Sequence, residues 1–326
     1  MKKTFSIIAV ILMFISCKEE GKTELILPKS VGKANHVLVV MSSQLWLGKA
    51  GDEVRTVFGE HQVGLPQPET LLSVSQVDPS GFKAFMRNNK AILLFQKGDS
   101  EGIGVVKDKY AVPQIIITAT AKDEAGFVDL INSRGKEIMK IFKDEDIKFV
   151  QNMFKKDRIN EDKFTTVKNL GVTLGIPKGY KLVDDTGDFL WLRKHLKSGV
   201  SGSNNILMYS VPLTPEYEIV DNITIVRDAI GEKYIPGSKE GMYMITEQAY
   251  TPFTYDAIID GKKAYETRGK WEVKNDFMAG PFLNYSVIDK ANNRVVVFEG
   301  FTYAPATNKR DFLFELEAIA KSLKIK

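Results

Sequence analysis

Tyr285-Ser286-Val287-Ile288-Asp289-Lys290-Ala291-Asn292-Asn293-Arg294-Val295-Val296-Val297-Phe298 is the stretch that decides how the second half of this chain folds. Two runs rich in β-branched and aromatic residues flank the turn-forming cluster Asp289 to Asn293, a pattern that predicts two antiparallel strands joined by a hairpin loop. Around this hairpin the apolar period is two. Val295, Val297, Glu299, Phe301 and Tyr303 share one strand face; Tyr265, Thr267 and Trp271 share another, and Phe189, Trp191 and Arg193 a third. Helical spacing interrupts the strands twice. Ile223, Val226 and Ile230 follow an Asp221 cap, and Phe312, Leu316, Ile319 and Leu323 fall at i, i+4, i+7 and i+11, with Arg310, Glu315 and Glu317 expected to point outward. Residues 166–326 are therefore expected to form an α+β domain with a mainly antiparallel sheet.

Upstream, strands and helices alternate. Val37-Leu38-Val39-Val40-Met41 reads as a buried strand, as do Ala91 to Phe95 and Gln114 to Thr120. Helices are predicted over Asp52 to Phe58, in a short turn opened by Asp78-Pro79, and from Asp123 to Lys156, the last broken near Asp144-Glu145-Asp146. This texture predicts an α/β domain over residues 34–165.

The N-terminus carries an address. Lys2 and Lys3 precede an apolar run, Phe5 to Ile15, too short to span a bilayer as a helix, which predicts a signal peptide over residues 1–16. Phe14-Ile15-Ser16-Cys17 resembles a bacterial lipobox, so Cys17 is the expected lipid attachment site and residues 17–33 the expected flexible tether. A doubly or triply acylated cysteine holds a protein at a membrane without spanning it. Lys18-Glu19-Glu20 resembles the charged signature that sends some Bacteroidetes-type lipoproteins to the outer face of the outer membrane. The expected location is thus the outer membrane, on its periplasmic or surface-exposed face. Cys17 is the sole cysteine, and acylation leaves no thiol for a disulfide or a nucleophile.

The remaining composition narrows the function classes. The net charge of +4 falls when Lys2 and Lys3 leave, and both signs are spread over both halves, so no nucleic-acid partner is expected. His36, His61 and His195 show no metal-ligand spacing, and no cofactor or metal site is expected. Gly98 to Gly104 lacks the Gly-Lys-Ser/Thr ending of a phosphate loop and reads as a glycine-rich turn. Asp184, Asp185 and Asp188 sit in a turn without calcium-loop spacing. The candidate ligand patch is Trp191, Arg193, Arg268, Trp271 and Glu299, in which Arg193 or Arg268 would pair with the carboxylate of Glu299.

Tyr234-Ile235-Pro236-Gly237, Arg268-Gly269-Lys270-Trp271-Glu272, Phe277 to Phe282, Glu299-Gly300-Phe301-Thr302-Tyr303-Ala304-Pro305 and Lys309-Arg310-Asp311 together resemble a family of Bacteroidetes envelope lipoproteins catalogued as a domain of unknown function. The resemblance is sharpest from Gly171 to Ile319, departs at Ala279 where glycine is expected, and implies an envelope lipoprotein without carrying over a catalytic residue. The order of elements is also similar to the α/β/α sandwiches of the PsbP and Mog1 type, which bears on fold alone. The expectation is a membrane-anchored, non-catalytic binding or assembly module with an envelope protein or glycan partner. The rival expectation is an envelope hydrolase with a dispersed carboxylate and arginine site.

Overall fold

A computed structural model describes residues 26–197, 199–214 and 222–326. The signal peptide, Cys17 and Asp221 lie outside the described residues. Among those described, no helix is long and apolar enough to cross a membrane.

The first sheet is built from β1 (His36–Val40), β2 (Ser73–Val77), β3 (Ala91–Lys97), β4 (Gly102–Lys107) and β5 (Ile115–Ala121) in the order β2-β1-β3-β5-β4. Its pairs are parallel except the edge strand β4, which runs antiparallel to β5. Helices α1 (Ser43–Leu47) and α2 (Lys49–Phe58) precede β2, and α3 (Glu124–Lys156) follows β5. Asp123 caps α3 by accepting from the Gly126 amide at 3.0 Å, and Lys155 and Lys156 complement the dipole of its last turn. Phe127, Ile131, Ile138 and Phe142 of α3 pack with Val54 and Phe58 of α2 onto Val37, Val39, Leu93 and Ile117. A Cβ at Gly135 would stand 2.7 Å from Val57, so the absent side chain lets the two helices close on each other.

The expected break in this helix at Asp144-Glu145-Asp146 does not occur. Asp146 is buried, ion-paired with the equally buried Lys90, and accepts the Asn35 amide at 2.7 Å. Its carboxylate is used by tertiary partners and does not compete with the helix backbone. At 33 residues α3 is roughly 50 Å long and outruns the first sheet. Ile147 and Phe154, near its C-terminal end, belong to the core of the second domain.

That core is organised by an eight-stranded antiparallel sheet: β7 (Lys181–Asp185), β8 (Phe189–His195), β9 (Ser203–Pro212), β10 (Met244–Thr246), β11 (Phe253–Ile259), β12 (Lys262–Val273), β13 (Ala279–Asp289) and β14 (Arg294–Tyr303). The order is β10-β12-β13-β14-β9-β8-β7, with β11 also on β12. The hairpin predicted at Asp289 to Asn293 joins β13 to β14, with Val287 opposite Val296. A small ribbon of β6 (Val172–Thr173) and β15 (Lys324–Ile325) ties the C-terminus down. Both faces of the large sheet are covered. On one, Leu283, Tyr285, Val287 and Phe298 meet α6 (Arg310–Ala320), α4 (Thr165–Asn169) and the end of α3; on the other, Phe282, Val297, Phe301 and Trp271 meet Ile223 of α5 (Asn222–Tyr234). The protein is an α/β domain followed by an α+β sandwich, the fold class expected from its sequence.

Two expectations are corrected here. The described end of the expected 17–33 tether is pinned to the first domain: the amides of Ser30, Val31 and Val112 donate to the carbonyls of Val112, Asn88 and Pro28 at 2.8–3.1 Å. Glu317, expected to face solvent, is 1% exposed. Helix α6 is covered by the sheet on one side and by α3 on another, so its apolar stripe does not define its only buried face.

A strap between α2 and β2 locks the domains together. Leu65 enters the core of the second domain, and the Gly64 amide donates to the Tyr250 hydroxyl at 3.0 Å. Gly64 has φ +82°, and a Cβ there would lie 3.0 Å from the Gly269 amide nitrogen, so only glycine lets the strap lie flat on β12. Further along, the Glu69 carboxylate accepts the amides of Lys309 (2.6 Å) and Arg310 (3.1 Å). It caps α6 from the other domain, since Lys309 at the N-cap position supplies no side-chain acceptor. Glu69→Ala is expected to lower stability by about 0.5–2 kcal/mol, the cost of losing a helix cap. Urea melts check this; a change under about 0.3 kcal/mol would mean that water replaces the cap.

Candidate functional site

Where α3, the strap, β12 and α6 meet, the two domains enclose a cavity of about 210 Å³. Helix α3 lines it with Lys136, Met139, Lys140 and Lys143, at i, i+3, i+4 and i+7 on one face, and α6 contributes Arg310, Phe314 and Glu317 at i, i+4 and i+7. Gln62, Leu71 and Leu72 of the strap form a third wall, and Arg268 of β12 lies beside Glu317.

Beside the cavity lies a buried ion network centred on Glu317. Its Oε2 accepts from Arg268 Nη2 at 2.5 Å, while its Oε1 faces Lys321 Nζ at 2.8 Å and Lys143 Nζ at 3.0 Å. Arg268 Nε also donates to Glu266 Oε1 at 2.5 Å, and the Tyr285 hydroxyl donates to Glu266 Oε2 at 2.7 Å. Burial pulls the Glu317 carboxyl upward, but Lys143, Arg268 and Lys321 outweigh it and hold the acid well below the usual glutamate range. Burial, then the charges of Glu317 and Glu266, push the Tyr285 hydroxyl well above its ordinary value. Burial lowers the Lys143 ammonium despite Glu317 beside it.

The charges around the cavity do not balance. Lys136, Lys140, Lys143, Arg268, Arg310 and Lys321 carry six positive charges, against four on their carboxylate partners Glu317, Glu266, Asp144 and Asp311. Lys136 has no ion-pair or hydrogen-bond partner among the described residues. Leu72, Met139 and Phe314, all less than 10% exposed, make the rest of the surface apolar. The arrangement suits a molecule with a negative end and an apolar body. Glu317, held ionised by its three cations, has no proton to donate there.

The patch expected from sequence is divided between the two faces of the large sheet. Arg268 faces α6, whereas Trp191, Arg193, Trp271 and Glu299 lie on the opposite side, each with a partner. Asn205 Oδ1 accepts from Trp191 Nε1 and from Arg193 Nε, both at 3.1 Å, and the Arg193 guanidinium stacks 4.7 Å over the Trp191 ring. Trp271 meets Phe301 edge-on at 5.4 Å and donates to the Thr302 carbonyl at 3.3 Å. Glu299 pairs with neither Arg193 nor Arg268. Its partner is Arg227 of α5, with Nε 3.1 Å from Oε1, and Asn284 Nδ2 donates to Oε2 at 3.2 Å. The Arg227 guanidinium stacks 4.0 Å over Phe282.

The other sequence candidates have local roles. Asp185 caps α4, accepting from Thr165 N, Thr166 N and Thr166 Oγ1 at 2.6–2.9 Å. Burial raises its carboxyl, but these bonds from Thr166 and Thr165 bring it below its usual value. Gly98 to Gly104 turns into edge strand β4, with no helix N-terminus following it. Sequence reading missed Lys136, Lys140, Lys143, Arg310 and Glu317 as a group. Their spacing, i, i+4, i+7 for the three lysines and i, i+7 for Arg310 and Glu317, is the signal that marks them, once it is known that those helices face each other.

A family model described as Domain of unknown function (DUF4837) matches residues 158–322, and a second, Domain of unknown function (DUF8532), matches residues 30–155. No curated protein matches the chain. Among solved structures, the chain is similar to the Ran-binding protein Mog1p of Saccharomyces cerevisiae, with 10% identity, 48% of this chain and 90% of that chain covered, and a TM-score of 0.33. It is also similar to LpqN, described as involved in cell envelope biogenesis of Mycobacterium tuberculosis, with 13% identity, 47% and 82% covered, and a TM-score of 0.28.

Proposed function

We propose, from the premise that this chain belongs to the DUF4837 family, that it is a lipid-anchored binding module of the cell envelope that holds a small anionic molecule between its two domains. The observation that carries this reading is the cavity walled by both domains, whose cations outnumber the carboxylates that pair with them. Lys136, the lining cation with no partner among the described residues, stands exposed at the opening, where the charged end of a molecule held against the apolar walls would meet it. The site is one for holding rather than for cleaving: the carboxylate at its wall is locked by three cations and has no proton to give. Support for the anchor comes from Lys2, Lys3, the Phe5 to Ile15 run and the Ser16-Cys17 pair; Lys18-Glu19-Glu20 supports the outer membrane as its destination.

Native mass spectrometry of the protein released from envelopes in mild non-ionic detergent tests the binding role. The wild-type chain is expected to carry a small anionic adduct, and Leu71→Trp, which fills the cavity from its half-buried strap wall, is expected to lose it. Adduct-free spectra for both proteins would refute the reading. The anchor has its own test: Cys17→Ala should move the chain from the membrane pellet to the soluble fraction, and retention in the pellet would count against lipidation.

A further inference from the structure

We propose that the cavity's occupant is a singly charged amphiphilic carboxylate of about eight to ten non-hydrogen atoms in all, with its head at Lys136 and its apolar chain against Leu71, Leu72, Met139 and Phe314; this rests on the reading of the cavity as a binding site.

Charge sets the number of heads. Arg268 and Lys143 are engaged by Glu317 and Glu266, and Lys140 by Asp144 at 2.6 Å. Arg310 gives Nε to Asp311 and Nη1 to the Thr70 carbonyl and the Ser73 hydroxyl, at 2.9–3.0 Å, and keeps only Nη2 without such a bond among the described residues. Lys136 alone among the lining cations keeps all three donors for a ligand, and its exposure places it at the opening. One ammonium at the opening with all three donors uncommitted matches one carboxylate head.

The walls set the rest of the molecule. A bare hydrophilic anion needs polar donors on every side, and four of the lining side chains offer none. Leu71 and Met139 belong to the core of the first domain and Phe314 to that of the second, so an apolar body placed here joins two cores that otherwise stop at this gap. Size follows from volume. An apolar cavity of about 150 Å³ holds benzene, so about 210 Å³ holds roughly eight or nine non-hydrogen atoms, and the open mouth admits the head. Hexanoate to octanoate span that range.

Calorimetric titration of the full chain with butanoate, hexanoate, octanoate, octylammonium, 1-octanol and inorganic phosphate tests the ligand class. Affinity is expected to rise about fourfold per added carbon from butanoate to octanoate, following the free energy of burying a methylene. Octylammonium and 1-octanol should bind at least tenfold more weakly than octanoate. Lys136→Met, an exposed position whose change spares the fold, should weaken octanoate about tenfold without affecting 1-octanol, and Leu71→Trp should abolish binding. Octanoate binding that is equal in wild type and Leu71→Trp overturns the proposal, as does equal affinity for octanoate and 1-octanol. Phosphate binding without octanoate binding overturns the amphiphilic ligand but leaves the cavity an anion site, whereas adduct-free native spectra remove the binding reading itself.

Discussion

Glu317→Gln is expected to destabilise the folded protein by about 3–5 kcal/mol, the range found when one partner of a buried ion network is removed. The substitution keeps the shape of the side chain and removes one negative charge from among Arg268, Lys143 and Lys321, so those cations face each other with only Glu266 to balance them. In a chain of this size the loss corresponds to a fall in Tm of roughly 6–10 °C. Adding Lys143→Met should recover part of it, with a coupling of about 0.5–3 kcal/mol, because the second change removes a charge that the first left unpaired. A loss under about 1 kcal/mol would show that water reaches the network and screens it.

The same residue sets an acid limit. The folded Glu317 carboxyl lies well below the ordinary glutamate value of about 4.3, so its contribution is complete above that value and disappears as pH falls through the depressed folded one. The Glu317 contribution should therefore stay level from neutral pH down to the ordinary glutamate range and drop steeply below it. In Glu317→Gln the drop should be shallower. Glu299 and Asp146 act with the opposite sign and at higher pH: burial raises both, so each adds stability as pH falls from its raised value to the ordinary carboxylate range, above the window in which Glu317 loses it. Tm measured in 0.5-unit pH steps on wild type and variant separates the two contributions. Parallel curves would mean that Glu317 is not the titrating group.

Arg227→Met alone is expected to cost about 3–5 kcal/mol, and Arg227→Met with Glu299→Leu to lie within about 1 kcal/mol of wild type or above it. Both side chains are 1% exposed, between α5 and the large sheet. Removing the arginine leaves Glu299 with Asn284 as its remaining hydrogen-bond donor, and burial already pushes this carboxyl up. Replacing both ends by apolar side chains removes two desolvated charges and extends a core already rich in Phe282, Val297 and Phe301. Urea denaturation of the two single variants and the double variant closes the cycle. A double variant as unstable as the sum of the singles would show that the pair makes no direct interaction across the α5–sheet interface.

Several parts of this molecule can be read without coordinates because their causes are local. The β13–β14 hairpin follows from a turn cluster between two β-branched runs, and α3 from apolar residues that fall largely on one side of a helix. The functional cavity has no local cause. Arg268 and Trp271 are three positions apart on one strand, so parity sends one to α6 and the other to α5, and the candidate patch divides on that fact. The partner of Glu299 sits on α5, a helix whose docking against the sheet no local pattern specifies.

The sequence by itself determined the class of each domain, the hairpin, the helix cap at Asp78, and the N-terminal motif ending at Cys17, because each depends on residues within one or two turns of one another. Tertiary structure alone decided which charges are buried. Glu317 lies on the side of α6 that would meet water in an isolated helix, and it is buried because a helix some 170 residues earlier outruns its own sheet and packs there. Burial of a charge is a property of its surroundings in space, and the groups that neutralise Glu317 come from α3, β12 and α6 together.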